Sequence, residues 1–387
     1  MNILMVHPHD LYSKLEPWTN RIKCIAKQLV SKGHRVKLVY FPLWNRPWQD
    51  GEPECGRDYE EIAFERKKTA IFQNIRRMTK LAAWCDIVHF QKCFSHACLP
   101  SLFAAWLNRK PVHYDWDDWE MQIYNYDSPS RVVGLYLDIM ERVLPVMADT
   151  VSGASRRLRK LCLEGGVDSE RIFDSHVGAD LEQFNPAVDG STIRKRYNIK
   201  SPLVLYLGQL HGAQYAEMFI KSARLILDKG VNADFMIVGD GSRFFEFQNL
   251  IEELRLGDKI ILTGAISHRD IPQYIAACDV AVACFEDNDI TRCKSPLKIA
   301  EYLASGKAVV ASEVGDVPQM IAGCGLLVAP GDIDYFSEAI IRLLRDSNLR
   351  QELGQKARER AEEKYNWAVT ADNLLSAYRL ALGRYKT

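Results

Sequence analysis

The feature that most constrains this chain is an alternation that runs through it twice. Short apolar runs of strand length are separated by stretches whose apolar residues recur at helical spacing. In the first half the strand-like runs are 2–6, 35–41, 86–90, 111–114 and 150–152. Between the first two, a helix is predicted over 18–32, with Ile22, Ile25, Ala26 and Leu29 on one face and Gly33 as its stop signal. The second half begins the pattern again. Its strands are predicted at 203–207, 234–238, 259–262, 280–283 and 308–311, with a helix over 216–229 that Gly230 ends. Strand, helix, glycine, strand is the βαβ pattern, and strands joined by helical crossovers lie parallel. Two such series predict two doubly wound, Rossmann-like α/β domains facing a central cleft, with ligands beyond the carboxyl ends of the strands.

The 387 residues fit two domains at about 150 residues each. The expected division is an N-terminal domain over 1–185, a linker over 186–201 and a C-terminal domain over 202–366. A last helix over 367–387 can cross back to the N-terminal domain. The linker reading rests on Pro186, Gly190 and Pro202 around a polar middle. Fifty basic residues balance fifty acidic ones, so no overall field draws the chain to nucleic acid. Local clusters at Arg66-Lys67-Lys68, Arg76-Arg77 and Arg156-Arg157 with Arg159-Lys160 are either solvated helix faces or a peripheral contact with anionic lipid. Ten cysteines lack CxxC pairing, which points to reduced thiols and a cytoplasmic protein. The first strand starts at once, leaving no room for a signal peptide, and no apolar run nears the ~20 residues of a membrane span.

The segment richest in chemistry is 294–312, Lys-Ser-Pro-Leu-Lys-Ile-Ala-Glu-Tyr-Leu-Ala-Ser-Gly-Lys-Ala-Val-Val-Ala-Ser. Ser295 is expected to cap a helix that begins at Pro296, with Gly306 ending it and 307–311 forming a strand. A helix N-terminus there offers unpaired N–H groups to a diphosphate. Ile299, Ala300 and Leu303 form the core face. Glu301, one turn in, can accept two hydrogen bonds from a vicinal diol such as a ribose. From the residues alone it reads equally well as a surface glutamate.

This stretch resembles the donor-binding signature of the family-four retaining glycosyltransferases of GT-B fold. The Glu301-Tyr-Leu-Ala-Ser-Gly-Lys-Ala-Val-Val-Ala311 run carries the resemblance. It is supported in order and spacing by Val151-Ser-Gly-Ala-Ser155, by Val177-Gly-Ala-Asp180 followed by Phe184-Asn-Pro186, by Val238-Gly-Asp-Gly-Ser242 and by the Gly-Leu-Leu-Val-Ala-Pro-Gly-Asp run at 325–332. The resemblance implies that Glu301 binds the donor ribose. It also implies that the backbone at Ser295, Pro296 and Leu297 approaches the phosphates or sugar, and that Gly239, Gly241 and Ile266 lie near the nucleotide.

Three departures from the family pattern stand out. The acidic residue expected eight places before Glu301 is Cys293, leaving Glu286, Asp287 and Asp289 as substitutes. The Arg and Lys expected after the first C-domain strand fall in Gly208-Gln-Leu-His-Gly-Ala-Gln214, as Gln209 and Gln214. Neutral amides supply no charge to a leaving diphosphate, so Lys294, Lys298, Arg292 and Arg243 are the candidate replacements. The loop after the first strand lacks the family's glycines and offers Glu16, Thr19 and Arg21 instead.

On the N-terminal side, His113-Tyr-Asp-Trp-Asp-Asp-Trp-Glu120 follows the fourth strand. The resemblance aligns Asp117-Asp118 with a pair at the reaction centre. Asp117, then Asp118, is the expected group that takes or orients an acceptor proton, or else the pair caps a helix. His7 and His9 leave the first strand at the same edge, and His9 joins the candidate catalytic set. Trp116, Trp119, Tyr124 and Tyr126 are candidates for an aromatic acceptor wall or for loop core. The pair also resembles the metal-binding Asp-x-Asp motif of the other glycosyltransferase fold, which the architecture argues against, so no metal is expected.

The implied activity is glycosyl transfer, with retention, from a nucleotide-diphosphate sugar to a hydroxyl of a glycan, a lipid-linked acceptor or a small molecule. The nucleotide sugar is a co-substrate and no covalent cofactor is expected. The alternatives are a non-catalytic GT-B nucleotide-binding or scaffold protein, and a GT-B epimerase or phosphorylase.

Overall fold

The computed structural model describes residues 1–13, 19–43, 59–127, 130–210 and 215–386. Glu16 and Gln214 fall outside these described residues. The chain divides into two compact units, one of residues 1–176 with 367–387 and one of residues 177–366.

Unit 1 holds seven parallel strands, five of them at the predicted apolar runs: β1 (Asn2–Val6), β2 (Arg35–Tyr40), β3 (Glu60–Ala63), β4 (Ile87–Gln91), β5 (Val112–Trp116), β6 (Thr150–Gly153) and β7 (Ile172–Asp174). Their order is β3-β2-β1-β4-β5-β6-β7, with Ile3 opposite both Val36 and Ile87. The central strands are buried on both faces; β1 reads as a continuous apolar run, while β4 and β5 interleave the buried polar residues His89, Gln91, His113 and Asp115. The connecting helices are α1 (Asn20–Ser31), α2 (Ile71–Trp84), α3 (Ser95–Asn108), α4 (Glu120–Asp127), α5 (Arg131–Met147) and α6 (Arg156–Glu164). The strand order reverses direction between β1 and β4. Right-handed crossovers therefore put α1 on one face of the sheet and α2 to α6 on the other.

Unit 2 repeats the plan. After α7 (Ser191–Arg196) come β8 (Leu203–Leu207), α8 (Ala216–Asp228), β9 (Asp234–Val238), α9 (Phe244–Glu253), β10 (Ile260–Leu262), α10 (Ile271–Ala277) and β11 (Val280–Ala283). Then follow α11 (Asp289–Arg292), α12 (Leu297–Ala304), β12 (Val309–Ser312), α13 (Val317–Met320), β13 (Gly325–Val328), α14 (Ile333–Arg345) and α15 (Ser347–Glu363). The sheet order is β10-β9-β8-β11-β12-β13, so its switch point lies between β8 and β11. The last helix, α16 (Trp367–Lys386), packs in unit 1 beside α1 and against β5, β6 and β7. There the Tyr378 hydroxyl bonds to His89 Nδ1 at 2.7 Å.

The two α/β sheets and most strand bounds match the periodicity. Three strands escape it. β3 and β7 are sheet edges, short and rich in charge, so no apolar run announces them. β13 is a four-residue edge strand of partly buried residues. The segment 186–201 is not a loose connector, because α7 packs on α10. A Cβ on Gly190 would meet the Ala277 nitrogen at 2.3 Å, and the Arg194 Nη1 donates to the Ala277 carbonyl at 3.0 Å. Residues 177–185 also pack within unit 2, where Ala179 bridges Asn366. The Ser295 cap is a correction too. The first helical residue of α12 is Leu297 and its N-cap is Pro296, while the Ser295 hydroxyl accepts from the Val177 N–H at 3.3 Å.

Glycine is required where the loops after β8 and β9 touch. A Cβ on Gly239 would lie 1.8 Å from the Gly208 carbonyl oxygen, and one on Gly241 would lie 2.3 Å from that of Leu210. Leu210 donates to the Asp240 carbonyl at 2.9 Å, and Gly239 donates to that of Gly264 at 3.1 Å. The carboxyl ends of β8, β9 and β10 are thereby fastened together. Gly239→Ala is expected to destabilise unit 2 by about 3 kcal/mol or more, because backbone must move. Gly33→Ala, with positive φ but open space, is expected to cost only about 1 kcal/mol. Urea denaturation of the two variants checks the contrast.

Candidate active site

In unit 2 the site grows from α12. Tyr302 fixes the helix to the sheet, its buried hydroxyl accepting from the Leu207 N–H at 2.9 Å and donating to the Val282 carbonyl at 3.4 Å. At its other end, Arg358 Nη1 donates to the Ala304 carbonyl at 2.7 Å and to that of Phe184 at 3.0 Å. So anchored, α12 buries Glu301, which is only 3% exposed. Its carboxylate lies 2.6 Å from the His268 Nε2. His268 sits on the loop that also carries Ile266, and its ring packs 5.5 Å from that of Phe184. His268 has no counterpart in the motif reading. Its only sequence signal is a histidine in the loop beyond a C-domain strand.

Lys298 is buried one turn before Glu301, with Nζ 4.6 Å from the Tyr206 ring centroid and 5.3 Å from that of Phe285. Burial lowers its pKa to about 7, and the charge of Lys294 pushes the same way. Two of the other proposed cations, Arg292 and Arg243, are engaged elsewhere. Arg292 pairs with Asp287 at 2.7 Å and with Asp289 at 3.6 Å, and Arg243 pairs with Glu246 and with Glu217 at 3.2 Å. Those pairings also occupy Asp287 and Asp289, while Glu286 accepts from the Asn288 amide at 3.3 Å. Cys293 is buried. Gln209 is half-buried in the loop after β8, beside Gly208.

In unit 1 the carboxyl ends of β1, β4 and β5 converge on Asp115, a residue the motif reading passed over. It has no exposure. Arg21 from α1 binds it through both terminal nitrogens, at 2.5 and 3.0 Å. The Gln91 amide and the Ser152 hydroxyl each donate to it at 2.6 Å. Burial alone would raise its pKa, but Arg21 and these bonds hold it well below the usual carboxylate range. His7 Nδ1 lies 2.8 Å from the Gln91 oxygen, so His7 joins this network. Its Nε2 is buried with no hydrogen-bond partner among the described residues. His9 is buried, with its ring edge-on to His7 and Phe94 and its Nδ1 3.4 Å from Arg66 Nη2.

Asp117 and Asp118 follow β5 directly. Asp117 lies 3.3 Å from the Arg21 Nε. Burial raises its pKa, and the Asp118 charge raises it further against the pull of Arg21. Asp118 pairs with Lys92 at 3.0 Å, and Lys92 also binds Glu120. Lys92 holds a positive φ of 62° just after β4, a backbone cost of about 1–2 kcal/mol in a lysine. Two carboxylates fix its ammonium there. Behind them Glu141 accepts from the Glu120 and Met121 N–H groups at 2.7 and 3.1 Å, and burial pushes its pKa up to about 8. Of the aromatic candidates, Trp116 is core, its Nε1 donating to Glu141 at 3.2 Å. Tyr126 is exposed, and Arg157 lies over the Trp119 ring.

Unit 1 thus gathers Asp117, Asp118, Lys92 and the Asp115 network. Unit 2 gathers Glu301, Lys298, His268 and the fused glycine loops. The whole chain has the GT-B fold of known glycosyltransferases. It superposes on Anabaena HepE, solved with UDP, with a TM-score of 0.73 over 97% of this chain and 98% of that one, at 17% identity. Residues 189–360 match the family described as glycosyl transferases group 1. The chain is 29% identical over 192 residues to an alpha-D-kanosaminyltransferase of Streptomyces kanamyceticus, covering 48% of each. It is 30% identical over 224 residues to the sulfoquinovosyl transferase SQD2 of Arabidopsis thaliana, covering 56% of this chain and 41% of that one. The chain therefore spans about half the length of these curated relatives.

Two consequences can be measured. Arg21→Ala leaves the Asp115 charge buried and is expected to cost about 3–5 kcal/mol in urea denaturation. For Lys298 the folded pKa lies below the unfolded one. The unfolded chain then binds the extra proton between about 7 and the ordinary lysine value of 10.5, and stability rises with pH across that window. Without ligand, Lys298→Met is expected to be more stable than the parent below pH 7, by on the order of a few kcal/mol. The gap should close as pH approaches the upper end of the window.

Proposed function

We propose that the protein transfers a glycosyl group from a nucleotide-diphosphate sugar, held by unit 2, to a hydroxyl acceptor met by unit 1. The observation that carries this reading is the buried Lys298 and Glu301 of α12, with half-buried His268 against Glu301, within the segment that matches glycosyl transferases group 1. Glu301 receives the ribose diol once His268 gives way. The N-terminal N–H groups of α12 and the Lys298 ammonium take the diphosphate, and the fused glycine loops let backbone approach the nucleotide. Lys298 then supplies the charge that Gln209 does not. A diphosphate beside it raises its pKa, so binding takes up a proton. UDP is the first nucleotide to test, because HepE was solved with it. On the acceptor side Asp117 orients or takes the hydroxyl proton. Retention of configuration is part of the proposal and rests on the family resemblance; the anomeric configuration of the product, read by NMR, tests it.

The departures at Cys293 and Gln209 favour one rival, a protein that binds the nucleotide and turns nothing over. The deciding experiment is thermal stabilisation by a panel of nucleoside diphosphates and their sugars, followed by an assay of donor hydrolysis and transfer. A ligand at a hundred times its Kd adds about 2.7 kcal/mol. Stabilisation with turnover supports transfer, stabilisation without turnover supports the rival, and no stabilisation overturns both. Glu301→Ala is expected to weaken donor binding at least about tenfold without unfolding the protein. Asp117→Asn should lower turnover by about a hundredfold or more and leave donor binding unchanged. Parental donor affinity in the first variant, or parental turnover in the second, would remove that residue from the site.

A further inference from the structure

The surface of unit 1 carries an apolar face that its fold does not use. Helix α5 is apolar on two sides. Gly134, Leu137, Leu144 and Pro145 face the core, while Val132, Leu135, Ile139, Val143 and Val146 form an exposed stripe along the opposite side. The spacing of that stripe, three or four residues per step, keeps it on one side for the full length of the helix. Helix α3 behaves likewise, with Leu99, Phe103, Trp106 and Leu107 exposed and Ala97, Ser101, Ala104 and Ala105 inward. The magnitudes are large for a water-facing surface, with Trp106 71% exposed, Leu135 61% and Val132 79%. Single exposed apolar side chains are ordinary, but a stripe along each of two helices is more apolar surface than a water-facing fold requires. The helices lie on the same side of the sheet. Tyr136 of α5 reaches over α3, donating to the Cys93 carbonyl at 3.0 Å and lying 3.8 Å from the Cys98 sulfur.

The charge around these stripes decides what covers them. Helix α2, packed beside α3, carries Arg76, Arg77 and Lys80 and no acid. Arg109 and Lys110 follow α3, and α6 opens with Arg156-Arg157-Leu158-Arg159-Lys160. The acidic side chains on α2, α3, α5 and α6 are Asp138, Glu141 and Glu164. Glu141 is buried, Asp138 is paired with Arg142 at 3.0 Å, and Glu164 lies within 3.7 Å of both Arg157 and Lys160. An overall neutral chain has thus set basic groups around an apolar surface. We infer that the α3–α5 face of unit 1 seats on an anionic lipid bilayer, its aliphatic and tryptophan side chains entering the headgroup region while the flanking arginines and lysines meet lipid phosphates. Among the described residues no helix is long and apolar enough to cross a membrane, so the contact lies on the surface.

This inference stands on surface chemistry and not on the glycosyl-transfer reading, and its test needs no turnover. The 387-residue chain is sedimented with vesicles of phosphatidylcholine alone or with roughly 30 mol% phosphatidylglycerol. The parent is expected to partition strongly to the anionic vesicles only. The triple variant Trp106→Ser, Leu135→Ser, Ile139→Ser, in which only exposed side chains change, is expected to lose at least about tenfold in partitioning. Arg76→Glu with Lys80→Glu and Arg109→Glu should lose the preference for anionic lipid. Brominated acyl chains should quench tryptophan emission in the parent and less in Trp106→Phe, which reports insertion even if the triple variant folds poorly. Three results would overturn the proposal. One is no sedimentation of the parent with either vesicle, and another is unchanged partitioning of the folded triple variant. The third is a dimer in analytical ultracentrifugation that the triple variant dissolves while vesicle binding is absent.

Discussion

A carboxylate with no access to water, set in the middle of a parallel sheet, can exist as an anion only if its charge is met inside the protein. Asp115 sets this condition for unit 1. Arg21 meets it from α1 and also reaches the carbonyl of Ser175. Gln91 brings in β4, and Ser152 brings in β6. One buried charge thereby ties the carboxyl ends of several strands to the helix on the far side of the chain reversal. It also sets the state of its neighbour. Because the terminal nitrogens of Arg21 serve Asp115, only Nε faces Asp117, and burial prevails there in raising the pKa. Two aspartates two residues apart are pushed in opposite directions, Asp115 well below the usual carboxylate range and Asp117 above its ordinary value.

Unit 2 treats its buried cation in the opposite way. Burial would lower the pKa of Arg21 but the charge of Asp115 reverses the effect, whereas Lys298 is left near 7. The aromatic faces of Tyr206 and Phe285 soften the desolvation without undoing it. In the proposed reading this cost is carried by the free protein and relieved by an incoming diphosphate. That gives affinity for a dianion to a site whose family position for a cation holds a glutamine.

Much of this architecture is legible from pattern. The apolar runs at β1, β8, β9 and β11 are long enough and flanked clearly enough to locate each strand, because buried parallel strands show their burial directly in composition. The edge strands β3 and β7 do not, since an edge needs little apolar surface. In the site, Glu301 and the glycines are readable because each is demanded locally, by a helix turn or by a backbone approach. Asp115, Lys92, His268 and Glu141 are not. Their environments come from segments tens of residues away, and no local spacing records that Arg21 will meet residue 115 or that His268 will meet residue 301. Ser295 shows the converse error, a residue with the right local grammar for a cap whose hydroxyl is claimed by the Val177 backbone.

The placement of α16 has a consequence for how the molecule is made. The hydroxyl bonded to His89 Nδ1, beside Asp115, belongs to Tyr378, 289 residues later in the chain. At about 5–20 residues per second, a ribosome reaches Tyr378 roughly 15–60 s after His89 has been made. All of unit 2 is synthesised in that interval. The unit begun first is therefore the one finished last, and its β5–β7 face must wait for α16, which makes it the part of the nascent protein most dependent on protection from aggregation.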